Sequence, residues 1–103
     1  MIAQVRNKQD ELTHLCRKYA VRRLDLFGSA ATEFEFNADR SDLDFLVEFE
    51  LSATMGPADQ YFGLWEDLES LFDREIHLVS SRALRNRYFI ESVNATRQTL
   101  YGS

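Results

Sequence analysis

"DLFGSAATEFEFNADRSDLDFLVEF", residues 25–49, decides how this chain is read. Its second half alternates. Leu43, Phe45, Val47 and Phe49 fall on one face of an extended strand, and Asp42, Asp44, Leu46 and Glu48 on the other. Asp42 and Asp44 therefore project together, with Cα atoms roughly 6–7 Å apart. Two ionised carboxylates placed so close repel each other, which is costly unless something positive lies between them. Hard oxygen donors suit Mg²⁺ or Mn²⁺, and Mg²⁺ fills its remaining positions with water and substrate phosphates. Upstream, Gly28 ends an apolar stretch and Ser29 follows it. A glycine there lets the backbone turn sharply and approach a ligand, and the amides that open the next helical turn can bind an anion. Either half alone is commonplace, as an ordinary turn or an ordinary loop. Together they are the equipment of phosphoryl or nucleotidyl transfer, in which two metal ions can stabilise the attacking and leaving oxygens.

Outward from this stretch, the pattern predicts a small α/β (α+β) fold in the order α-β-(short α)-β-α-β-α. Ile2, Val5, Leu12, Leu15, Cys16 and Tyr19 recur at helical intervals over residues 2–20. "VRRLDLF", residues 21–27, reads as a strand ending at Gly28, and Ser29 as the cap of a short helical turn, "AATEFEF". Residues 37–41 form a loop, and residues 42–49 the second strand. Pro57 opens a helix whose Tyr61, Leu64, Trp65, Leu68, Leu71 and Phe72 follow the i, i+3, i+4, i+7 pattern; Tyr61 and Trp65 read as core. "REIHLV", residues 74–79, is a third strand with Glu75, His77 and Val79 on one face. A last helix starts at Ser80 or Ser81 and runs to about Tyr101. The expectation is a single domain over residues 1–103, with a small mixed three-stranded sheet flanked by helices.

Composition narrows the function. The chain has 103 residues, a formal net charge of −5 and 45% hydrophobic residues. That is a globular composition without a basic signature for nucleic acid. Arg82, Arg85 and Arg87, with Arg97 further on, read either as a solvated helix face or as an anion or protein contact. The one cysteine, Cys16, reads as a buried thiol, and His14 as surface or edge of core. No zinc-ligand spacing, nucleophilic triad, signal peptide or membrane span stands out, so a cytoplasmic protein is expected.

"LFGSAA" and "RSDLDFLVEF" resemble the nucleotidyltransferase superfamily of the DNA polymerase β type. In particular they resemble its minimal members, the antitoxins of HEPN/MNT toxin–antitoxin pairs, and the likeness extends to "LWEDLESLFDREIHLVSSRAL". The resemblance implies that Gly28 and Ser29 bind nucleotide phosphates and that Asp42 and Asp44 bind Mg²⁺, with two ions possible. From the residues themselves, Ser41 reads either as an aid to the metal loop or as a cap or turn residue, and Arg40 either as reaching a phosphate or as solvated or paired with a neighbouring acid. The resemblance also implies transfer of AMP from ATP to a tyrosine of a partner HEPN ribonuclease, in a hetero-oligomer.

The chain departs from the family pattern in two places. The spacer between Ser29 and Asp42 holds twelve residues, longer than the common form, and Ala31-Thr32 stands where Arg-Gly is usual; a longer surface loop costs little. In the last strand His77, within Ile76-His77-Leu78, takes the place of the usual third carboxylate. A neutral imidazole can act as a base or ligate a metal, but it supplies no negative charge. His77 is thus a third candidate catalytic residue. It also motivates an alternative: an antitoxin of this fold that is weak or inactive as an enzyme and neutralises its toxin by binding. A further alternative is the nucleotide-binding subunit of a two-part small-molecule transferase.

Overall fold

The computed structural model describes residues 1–32 and 42–102. Among these, α1 (Ala3–Arg6) and α2 (Gln9–Lys18) lead into β1 (Val21–Phe27), and the short α3 (Ser29–Thr32) follows. Next come β2 (Leu43–Phe49), α4 (Pro57–Phe72), β3 (Ile76–Ser80), a 3-10 turn (Ser81–Ala83), α5 (Arg87–Thr96) and β4 (Gln98–Tyr101). Ser41, Arg40 and the predicted helical turn beyond Thr32 lie outside the described residues.

The sheet has four strands, in the order β3-β2-β1-β4. β1 pairs antiparallel with β2 and β4, and β2 pairs parallel with β3. The expected third strand therefore forms, and a fourth joins it. The predicted last helix stops at Thr96, and residues 98–101 turn back along β1. What ends the helix is a tertiary contact. Arg97 is extended (φ −61°, ψ 139°), and its guanidinium reaches Asp25 on β1, with Nε 2.8 Å and Nη2 2.5 Å from Oδ2. Asp25 is fully buried, and Arg23 donates to its other oxygen at 3.1 Å. Arg97 accordingly leaves the predicted basic cluster, while Arg82, Arg85 and Arg87 are exposed. The helix also starts later than predicted. Asn86, not Ser80 or Ser81, caps it, accepting from the amides of Tyr88 and Phe89. The predicted first helix is broken at Asn7–Lys8.

The two faces of the sheet separate as the alternation requires. Leu24, Leu26, Leu43, Phe45, Val47, Ile76, Leu78 and Leu100 face the main core, closed by Leu12 and Cys16 of α2 and Leu64, Leu68 and Phe72 of α4. Phe45 stacks on Phe72 with ring centroids 5.9 Å apart. Phe27 and Leu46 face the other way and pack on Val93 of α5. α5 covers only part of that face, and the uncovered part carries Asp44 and His77. Trp65 and Tyr61 are half-buried, and each serves a polar role besides packing. Trp65 Nε1 donates to the Ile76 carbonyl at 3.1 Å, and the Tyr61 hydroxyl donates to the Leu78 carbonyl. Since the Glu75 carbonyl bonds Leu43 on β2, these two carbonyls lie on the outer edge of β3, which the side chains of α4 thereby cover.

Candidate functional site

The site is assembled where β1 ends and β2 and β3 begin. Phe27 pairs with Asp44, and Gly28 follows with φ +76°. A Cβ at Gly28 would stand 2.7 Å from Asp44 Oδ2, so any other residue would take a strained backbone and displace that carboxylate. Its amide donates to Thr96 Oγ1 at 2.9 Å, and its carbonyl accepts from Ala31 and Thr32 at 3.1 and 3.3 Å. The amides of Ser29 and Ala30 belong to the first turn of α3, before any intrahelical bond can use them. Gly28, Ser29 and Asp44 are therefore neighbours, while Thr96, at the far end of α5, locks the turn in place.

In the parallel register of β2 and β3, Asp44 lies beside His77. His77 Nδ1 is 3.1 Å from Asp44 Oδ1, and Nε2 is 3.2 Å from Asp42 Oδ2. The imidazole thus sits between the two carboxylates, where the sequence calls for a positive partner. The Nδ1–Asp44 contact is a hydrogen bond whose donor depends on the imidazole tautomer, and the Nε2–Asp42 contact is a close ion-pair approach. Burial raises the Asp44 carboxyl above its ordinary range, the hydrogen bond and charge of His77 oppose that, and the charge of Asp42 adds to it. Burial here penalises an uncompensated anion, so the site gains from a cation. Asp42, Glu75 and His77 form a second grouping, with one ligand atom from each lying within 4.8 Å of the others.

The profile of the nucleotidyltransferase domain matches residues 12–101. The chain belongs to that family. A protein of Methanocaldococcus jannaschii, named as an inferred protein adenylyltransferase, is 30% identical over 76 residues, covering 74% of this chain and 73% of that protein. A solved structure described as an inferred minimal nucleotidyltransferase superposes with a TM-score of 0.71 at 30% identity, over 90% of this chain and 89% of that one. A toxin–antitoxin structure with AMP-PNP superposes with a TM-score of 0.67 at 22% identity, over 92% and 73%. One of tri-AMPylated Shewanella oneidensis HEPN toxin in complex with MNT antitoxin gives 0.64 at 20%, over 96% and 73%. The last two likenesses speak for the fold.

A nucleotidyltransferase domain generally works with Mg²⁺ and a nucleoside triphosphate, and the residues present fit that pair. The donors here are the carboxylate oxygens of Asp42, Asp44 and Glu75, the kind Mg²⁺ takes, gathered around the His77 imidazole. The side-chain-free surface of Gly28 lies directly against one of them, where a second ligand can approach closely. Asp42, Asp44, Gly28, Ser29 and His77 are brought together. Two further residues of this corner, Glu75 and Thr96, were not singled out as site residues from the sequence. Glu75 was legible, because it shares the face of His77 on a predicted strand. Thr96 carried no local signal, since its partner Gly28 is 68 residues away.

Proposed function

We propose that this nucleotidyltransferase domain is the antitoxin of a HEPN/MNT pair, transferring AMP from ATP to a tyrosine of its HEPN ribonuclease partner. The observation that carries the reading is the Gly28–Asp44 corner: a turn without a side chain, pressed against the carboxylate of an Asp-x-Asp strand. The names of the relatives, an inferred protein adenylyltransferase and an AMPylated HEPN toxin bound to an MNT antitoxin, support a protein acceptor and a HEPN partner. In this reading Asp42 and Asp44 hold Mg²⁺, and the turn at Gly28 and Ser29 receives the phosphates. Ser41, which precedes Asp42 in the sequence, assists. When bound, Mg²⁺ neutralises phosphate charge and orients the α-phosphorus. The tyrosine oxygen forms the new bond to that phosphorus, the α–β bridging P–O bond breaks, and pyrophosphate leaves. The phenolic proton passes to His77 Nε2 once that nitrogen is released from Asp42.

A second reading has its own observation. His77 already bridges both carboxylates, which suits a domain that keeps the fold and neutralises its partner by binding alone. One experiment separates the two. The chain is incubated with ATP, Mg²⁺ and the HEPN protein encoded beside it, and the partner's intact mass is measured, alongside an Asp42→Asn/Asp44→Asn variant. Addition of AMP to a tyrosine by the unsubstituted chain, and none by the variant, is the expected result. Tight complex formation with unchanged partner mass in both would replace transfer by occlusion.

A further inference from the structure

We propose that Glu75 is the third acidic ligand of the metal site opened by Asp42 and Asp44, reaching it from the residue just before β3. The inference rests on the metal-dependent reading above and deepens it. Leu43 pairs with Ile76 across two parallel strands, so Asp42 and Glu75, one residue earlier on each, leave the sheet side by side at the same end. The Leu43 amide donates to the Glu75 carbonyl at 3.2 Å, which fixes the backbone of Glu75 against β2. Ligand atoms of Asp42, Glu75 and His77 lie within 4.8 Å of one another. Oxygens at about 2.1 Å from one Mg²⁺ span at most about 4.2 Å, so small turns of the half-buried Asp42 and the exposed Glu75 bring this pair together, with His77 linking Asp42 to Asp44.

The charge of the site points the same way. A carboxylate placed beside another repels it unless a cation is shared. Two carboxylates and a neutral imidazole hold a divalent ion less strongly than three carboxylates do. Glu75 and His77 lie on one face of the strand entry, two residues apart, so the carboxylate that position 77 lacks is available from position 75. Glu75 is exposed, and its side chain is one methylene longer than that of aspartate, which gives it the reach and freedom to follow the ion.

Mn²⁺ alone is the probe, titrated against the full chain and followed by electron paramagnetic resonance of the free ion. Glu75→Gln should weaken Mn²⁺ binding by about ten- to a hundredfold, with thermal unfolding unchanged. Glu69→Gln, which removes an exposed charge from α4, should leave the affinity as it is. Asp42→Asn tests the underlying site. If Asp42→Asn weakens binding and Glu75→Gln behaves like Glu69→Gln, the role of Glu75 is overturned and the aspartate site stands. If the unsubstituted chain binds no Mn²⁺ saturably, or Asp42→Asn changes nothing, both readings fall.

Discussion

Gly28 is the residue on which geometry and chemistry meet. Alanine there must adopt φ +76° and place its Cβ 2.7 Å from Asp44 Oδ2. The left-handed backbone alone costs about 1–2 kcal/mol. The displaced carboxylate adds a functional loss larger than the loss of stability, since a misplacement of about 1 Å can cost about a hundredfold in rate. Under the transfer reading proposed above, Gly28→Ala is expected to remain folded by circular dichroism while AMP transfer falls by about that factor. Asp67 illustrates the opposite pKa logic, away from the site. Burial raises its carboxyl, but hydrogen bonds from Tyr19 (2.5 Å) and Lys18 (3.1 Å), with the Lys18 charge, outweigh burial and hold it below the ordinary range. A depressed folded-state value means that the ionised form is favoured by folding. Its stabilisation is present at neutral pH and is lost as pH falls through the carboxylate range. Asp67→Asn should accordingly lower the melting temperature at pH 7, and the gap to the unsubstituted chain should close on acidification.

At the scale of elements, the fourth strand is anchored by the Arg97–Asp25 contact together with the burial of Leu100 and its pairing along β1. Asp25 is fully buried and shared by Arg97 and Arg23. Removing one partner of a buried pair leaves charge uncompensated, at about 3–5 kcal/mol. Since Arg23 remains, Arg97→Met should fall near the lower end, about 3 kcal/mol, read from urea unfolding. The same substitution frees β4 and with it the end of α5, whose Thr96 holds the Gly28 turn. Loosening at residues 98–101 should be visible as faster amide exchange there and at Gly28, ahead of the main core.

For the molecule as a whole, β4 closes two things at once. Leu100 enters the main core, and the strand covers the β1 edge. Gly102 ends it with φ +85°, where a Cβ would stand 2.2 Å from the Arg22 carbonyl. A chain ending at Thr96 loses Arg97 and Leu100 and exposes an unpaired strand edge, which templates association. It should elute as aggregate in size-exclusion chromatography. Cys16 reports on the intact core: it is fully buried, and burial pushes its thiol up to about 12. Its alkylation by iodoacetamide should proceed only at the rate of unfolding and rise steeply with denaturant. Among the described residues no helix is long and apolar enough to cross a membrane.

Local periodicity by itself determined most of the architecture. Strict alternation over residues 43–49 put Asp44 and Leu46 on one face and the core residues on the other, and Gly28 marked the turn because the chain there must take a positive φ. Helical spacing found α4 with Pro57 at its start. These signals reside in neighbouring residues, so a sequence displays them. Tertiary structure alone decided the rest. "ATRQTLYGS", residues 95–103, could continue a helix or leave it. It left because a buried carboxylate 72 residues earlier required Arg97 and an open strand edge accepted Gln98–Tyr101. Strand propensity takes effect only against such a partner. Likewise the alternation placed His77 on a face, but only the parallel register beside β2 set its ring between Asp42 and Asp44 and brought Glu75 alongside, because the distance between strands is not a property of either strand.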